Sequence, residues 1–208
     1  MATRKLIIAG AGGSARETIQ YLKEDVPARW QIQGFLCDLE SDIKEKTRGD
    51  YDVIGTIVDW QPSEDEDYIV AITAPAAHRK VVEILRERGA NIITWYPQNA
   101  SISEYATIGA GVFLMPGADV GPNAVVEDYV YSQAGIPHDC VIHSYATLYR
   151  SYIGGGVEIG ENALVCSGST ILPKIKIGKN AIVGAGSVVI KNVPDGVTVF
   201  GNPAKRIE

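Results

Sequence analysis

The second half of this chain repeats itself every six residues. From Ile153 an aliphatic residue recurs in strict phase, at Ile159, Val165, Ile171, Ile177, Val183 and Val189. Four places after each sits a second compact or branched residue: Val157, Ala163, Ser169, Ile175, Ala181, Ser187 and Val193. An earlier run obeys the same rule, with Ile102, Ile108, Leu114, Val120 and Val126 in the first position. Glycine often follows, as at Gly154, Gly160, Gly178 and Gly184. A period of six is neither helical nor a simple strand alternation; it is the signature of a parallel β-helix. Each hexad supplies one short strand and one corner, and the first residue points inward. Three hexads close a triangular coil, and coils stack at the strand spacing of roughly 4.8 Å.

The phase breaks once. Val126 and Ile153 are 27 residues apart, three short of five hexads. Gly135-Ile136-Pro137-His138-Asp139-Cys140 lies inside this irregular stretch. A regular scaffold interrupted at one place points to a functional site there.

The first 96 residues follow other rules. Lys5–Ala9 is an apolar run that ends in Gly10-Ala11-Gly12-Gly13-Ser14-Ala15. A helix is expected over 15–23, strands over 32–37 and 68–73, a helix over 76–88 and a strand over 91–95. Such alternation gives a small parallel sheet covered by helices. The chain thus divides into an α/β domain with a small Rossmann-like parallel sheet, 1–96, and an all-β solenoid, 97–208. Tyr96-Pro97-Gln98-Asn99 marks the join.

The net charge of −6 argues against a nucleic-acid partner. No segment is long and apolar enough to span a bilayer. The start has no signal-peptide architecture, and the three scattered cysteines, Cys37, Cys140 and Cys166, fit a reduced cytoplasmic setting.

Two groups of residues carry chemistry. Gly10, Gly12, Gly13 and Ser14 form a turn between a strand and a helix, where backbone amides and the helix N-terminus favour a phosphate. A dinucleotide site is the rival, weakened because no second mononucleotide half is visible. Thr73 ends a buried strand at the carboxyl edge, where open sheets bind ligands. His138 is the leading catalytic candidate, because histidine suits proton removal near neutral pH, and Asp139 stands ready to orient its ring. His143 is read as a corner residue: a metal site would need a third histidine upstream, and none lies between His78 and His138. No metal is expected. Cys140 is in line with the inward positions and reads as a buried thiol.

With its small α/β domain, its hexad solenoid, His138-Asp139-Cys140-Val141-Ile142 and the tail Gly201-Asn202-Pro203-Ala204-Lys205, the chain resembles the hexapeptide-repeat acyltransferases of nucleotide-sugar metabolism. It is similar to the sialic acid O-acetyltransferase-like group, which includes N-acetyltransferases of UDP- and GDP-linked 4-amino sugars. The resemblance implies a left-handed β-helix, a homotrimer with sites between subunits, and acetyl-CoA as co-substrate. It implies His138 as general base supported by Asp139, and an amide near Gly155 facing the thioester carbonyl. It also implies that the glycine turn, with Asp38 after the second strand, holds the nucleotide. Ala185, Gly186 and Lys205 match positions that contact acetyl-CoA.

The expected activity is acetyl transfer to the amine of a nucleotide-linked sugar. O-acetylation of a sugar such as a sialic acid uses the same base and stands as an alternative. A non-catalytic trimeric scaffold or ligand sensor is the alternative from another class.

Overall fold

The computed structural model describes residues 3–25, 30–40 and 42–207. The chain forms two compact units, Met1–Ile93 and Thr94–Glu208.

The first unit is built from β1 (Arg4–Ala9), α1 (Gly13–Asp25), β2 (Trp30–Leu36), α2 (Ile43–Lys46), β3 (Val53–Gly55), β4 (Glu66–Val70), α3 (Pro75–Glu87) and β5 (Asn91–Ile92). Its five strands are parallel, in the order β3-β2-β1-β4-β5. Leu6, Ile7, Ile8 and Ala9 of β1 are buried, as is all of β4. A strand enclosed on both faces reads as a continuous apolar run, and β1 was visible in the sequence for that reason. Helix α3 buries His78, Val81, Val82 and Leu85, a three-to-four spacing that lays one stripe on the sheet. The sequence reading missed β3 and α2, which are too short to show a period.

A buried carboxylate ties the strands at one end. Asp67 accepts hydrogen bonds from Arg4 at 2.9 and 2.8 Å, from Trp30 Nε1 at 2.6 Å and from Asn91 Nδ2 at 2.6 Å. Burial works to raise its pKa, but the bonds from Arg4, Trp30 and Asn91 outweigh burial and hold it below the usual carboxylate range. Residues from β1, β2, β4 and the start of β5 thus meet on one side chain.

The second unit is a three-sided parallel β-helix. Ile108, Val126, Ile142, Ile159 and Ile177 stack in register along the first face. Leu114, Ser132, Leu148, Val165, Val183 and Val199 stack along the second. The third carries Ile102, Val120 and Ile136 and, separately, Ile153, Ile171 and Val189. These inward chains form one core with the compact residues near the corners, among them Ala124, Val130, Cys140, Ala146, Val157, Ala163 and Ala181. A fully buried valine or isoleucine contributes about 1.5–3 kcal/mol, so the stacked column itself holds the prism together. The second face begins at Trp95, which pairs with Phe113 and stacks on its ring at 4.9 Å.

The phase break now has a location. Inward residues Ser132 and Ile136 are four apart, and Leu148 and Ile153 are five apart. Both losses fall at the corner between the second and third faces. At the first, Ser132 Oγ donates to the Ala134 carbonyl at 2.9 Å and accepts the Ala134 N–H at 3.1 Å. The Ser132 hydroxyl closes the tightened corner and is itself paired on both counts, as donor and as acceptor. On the third face no bridge joins Ile136 to Ile153 among the described residues. A cavity of about 280 Å³ opens there, lined by residues that include Gly135, Ile136, Pro137, Tyr152 and Ile153. The last coil is short as well. Val193, the compact residue four places after Val189, pairs with Ile177 and occupies a first-face position.

Candidate active site

The corner ahead of the first face stacks Gly121-Pro122-Asn123, Pro137-His138-Asp139, Gly154-Gly155-Gly156 and Pro173-Lys174 in successive coils. Backbone bonds pin each level to the next: Asp139 N–H donates to the Pro122 carbonyl at 3.0 Å, and Gly156 N–H donates to the His138 carbonyl at 3.0 Å. Asn123, Asp139, Gly156 and Lys174 all take the left-handed conformation, with φ of 57°, 59°, 69° and 64°. Asn, Asp and Gly adopt it most readily, which explains three of the four residues in this column.

His138 stands out from this corner with its side chain 65% exposed. Its Nδ1 lies 2.7 Å from Asp139 Oδ2. Hydrogen bonds from His138 first, and then from Asn123, hold the Asp139 carboxyl below its ordinary pKa. An ionised carboxylate only accepts, so Nδ1 carries a proton, and in the neutral ring Nε2 keeps a free lone pair. That is the arrangement a general base requires. Gly155 faces the ring directly: a Cβ there would stand 2.5 Å from both Cε1 and Nε2 of His138. The structure thus brings His138, Asp139 and Gly155 together.

Cys140 is buried, and its thiol donates to the Gly154 carbonyl at 3.3 Å. Burial raises its pKa, which makes it a packing residue and a poor nucleophile. His143 lies at the next corner and is less open than a plain surface residue. Its Nδ1 is 2.9 Å from Glu127 and its Nε2 is 3.4 Å from Glu158. Glu158 in turn pairs with Lys176 at 2.6 Å. A carboxylate thus stands against each ring nitrogen, which leaves neither of them open to a substrate.

Ala185 and Gly186 occupy the third kind of corner, between the second and third faces, and both are exposed. Gly186 has φ 67° and donates to the Ser167 carbonyl. Lys205 lies on the antiparallel strand that closes the solenoid, opposite Phe200. Within one chain, the Ala185–Gly186 corner and His138 belong to different edges of the prism, and Lys205 lies on a strand of the second-face sheet.

In the first unit, Gly10 has φ 101°, and a Cβ there would stand 2.8 Å from Ile72 Cγ1. Only glycine fits this turn. It sits where β1 and β4 are neighbours although the chain between them visits β2 and β3, the switch point at which open sheets bind ligands. Thr73 follows β4 on the same edge. Gly12 has open space around its Cα, and Gly13 and Ser14 begin the 13-residue α1, which carries no acid in its first turn. A cavity of about 530 Å³ is lined there by Ala11, Gly12, Cys37, Leu39, Glu40 and Asp42. Asp38 does not line it. Its Oδ1 accepts the N–H groups of Ile57 at 2.7 Å and Val58 at 3.1 Å, so this oxygen ties down the loop after β3. Leu39, Glu40 and Asp42 carry no motif and went unnoticed in the sequence.

Residues 5–85 match the PglD N-terminal domain family, and residues 156–191 match the bacterial transferase hexapeptide family (six repeats). The chain is 29% identical to GDP-perosamine N-acetyltransferase of Escherichia coli O157:H7, over 97% of this chain and 95% of that protein. Among solved structures, the acetyltransferase domain of PglB from Neisseria gonorrhoeae FA1090 superposes with a TM-score of 0.87 at 28% identity, covering 99% of this chain and 100% of that one. PerB from Caulobacter crescentus, solved with CoA and GDP-perosamine, superposes with a TM-score of 0.84 at 26% identity, covering 98% of this chain and 97% of that one. An α/β unit with a glycine turn, a hexad solenoid and full-length likeness to proteins named as acetyltransferases agree. The first unit thus matches the PglD N-terminal domain family, part of the solenoid matches the bacterial transferase hexapeptide family, and the chain is an acetyltransferase.

Proposed function

We propose that the protein transfers the acetyl group of acetyl-CoA to the amino group of a nucleotide-linked amino sugar, a UDP- or GDP-4-amino sugar. The observation that carries this reading is the His138 ring, proton on Nδ1 toward Asp139 and Nε2 open to solvent beside Gly155. Full-length likeness to a GDP-perosamine N-acetyltransferase supports the acceptor class.

In this mechanism the sugar amine attacks the thioester carbonyl carbon, and His138 Nε2 takes the proton that the amine sheds. Asp139 stabilises the imidazolium that results. An amide at the Gly155 corner donates to the oxyanion. The carbon–sulfur bond then breaks, and the imidazolium returns its proton to the departing CoA thiolate. No enzyme-bound acyl group is needed, because Cys140 is buried and already donates its thiol hydrogen. The phosphates of the acceptor lie on the amides of Gly12, Gly13 and Ser14 at the start of α1. Ala185, Gly186 and Lys205 contact acetyl-CoA. A reduced cytoplasmic setting, in which Cys37, Cys140 and Cys166 stay free thiols, belongs to this reading. No helix among the described residues is long and apolar enough to cross a membrane.

The working form in this reading is a homotrimer. His138 and the Ala185–Gly186 corner lie on different edges of one prism, so a complete site needs an edge from a second copy. Tyr152, Leu172, Ile182, Ile190 and Phe200 on the solenoid are exposed and supply apolar surface for such contacts. Light scattering at micromolar concentration is expected to give three times the chain mass of 22.4 kDa; a monomeric mass would overturn the trimer. The activity itself is tested with a panel of nucleotide sugars, amino and hydroxy, with acetyl-CoA and detection of the released thiol. Thiol release that depends on an amino acceptor is the expected result. Release with no panel member would favour the scaffold.

A further inference from the structure

We infer that Asn123 is the third member of the His138–Asp139 pair, a positioning residue that fixes the carboxylate and so sets the pH range over which His138 works. The inference rests on the reading of His138 as the base. Asn123 lies one shortened coil before Asp139, in the same column of left-handed corner residues. Its Nδ2 donates to Asp139 Oδ1 at 3.1 Å, while Asp139 Oδ2 faces His138 Nδ1 at 2.7 Å. The two oxygens therefore have one partner each, and the carboxylate plane is fixed from both ends. Without Asn123 the exposed Asp139 side chain is free to rotate, and the ring loses its orienting partner. Asn123 also drains negative charge from the carboxylate, which makes it a weaker stabiliser of the imidazolium.

A stacked asparagine at a β-helix corner can be merely structural, and this chain contains its own control. Asn162 Nδ2 donates to Asn180 Oδ1 at 2.7 Å, at the corner that carries His143 one coil earlier, and the bond ends on an amide rather than on a histidine's partner. Both Asn162 and Asn180 adopt the same left-handed conformation, with φ of 58° and 54°. Only the Asn123 pair ends on a group that faces the candidate base. The other titratable groups at this corner are Glu104 and Tyr105, exposed one coil before Asn123, Cys140, whose buried thiol is turned to Gly154, and Lys174, whose stem passes 3.4 Å from where a Cβ on Gly156 would stand.

The test is the pH profile of kcat for the full-length parent, Asn123→Asp, Asn123→Ala and Asn162→Ala, with His138→Ala as reference. Aspartate suits the left-handed corner and keeps the shape, but sets a second negative charge beside Asp139. The acidic limb of kcat is expected to move to higher pH by roughly half a unit to one unit in Asn123→Asp, with activity recovered at higher pH. In Asn123→Ala, kcat is expected to fall about tenfold, the scale of one lost hydrogen bond to a charged group. Asn162→Ala is expected to lose stability at most and to keep the parental limb. If His138→Ala is inactive but Asn123→Asp keeps the parental limb, the positioning role is overturned and Asn123 is a corner residue only. If His138→Ala retains turnover, the reading of the base fails instead, and the two failures are told apart.

Discussion

Replacing His138 by alanine is expected to lower kcat by about 10²–10⁴-fold, the usual cost of losing a general base. The fold should survive, because the side chain is exposed and its backbone bonds to the stacked coils remain. The affinity for acetyl-CoA should change little, since the residues proposed to contact it are Ala185, Gly186 and Lys205, while His138 is proposed to act on the acceptor amine. In the parent, kcat should fall at low pH as the free Nε2 lone pair is protonated. Steady-state kinetics on both substrates checks the split. An unchanged kcat would remove His138 from the chemistry, and a fall in acetyl-CoA affinity alone would make it a binding residue.

The second large effect is expected at Gly155. An alanine Cβ would stand 2.5 Å from two ring atoms of His138, well inside contact distance. The backbone at Gly155 is not in the left-handed region, so alanine itself adds no strain there. The ring has room to move, because it is exposed, and it should swing off Asp139. A displacement of about 1 Å in a reacting group costs on the order of 10² in rate. Gly155→Ala should therefore keep a near-parental melting temperature while kcat falls about a hundredfold. Gly154→Ala provides the contrast. Its Cβ would meet the backbone nitrogen of Pro173 at 2.5 Å, and backbone cannot swing aside. That variant should lose stability. Equal melting losses in both variants would show that Gly155 is a packing position and does not seat the ring.

The solenoid was readable because its core is a stack of identical tasks. Every sixth side chain from Ile153 to Val189 fills the same axis, and each one repeats the signal. What escaped the period was the way the chain loses register. Ser132 is an inward residue disguised as a polar one, acceptable because its hydroxyl bonds to Ala134. The three missing residues could be counted, but their common corner could not be located without knowing that Ser132 and Ile136 hold adjacent faces. The place of Val193 escaped the period for a like reason, since a four-residue step looks the same whether it ends at a corner or on the next face.

The site was readable where its members are adjacent in sequence, as with His138 and Asp139. Partners one coil away were harder. Gly155 came from resemblance, and only the structure shows its Cα against the ring. Asn123 looked like any turn residue, because its contact with Asp139 depends on a coil two residues shorter than the usual three hexads. Asp38 is expected at the nucleotide from the resemblance alone, and nothing in the sequence signals that one of its oxygens bonds to the amides of Ile57 and Val58.

The most direct test of the proposed activity offers the enzyme two acceptors that share one nucleotide and differ only in an amino or a hydroxyl group at the same sugar carbon. Acetyl-CoA is supplied, and both products are read by mass. Rapid acetylation of the amino sugar, with the hydroxy sugar left unmodified, is the predicted result. Acetylation of the hydroxy sugar at an equal or greater rate, or transfer to neither, would contradict it.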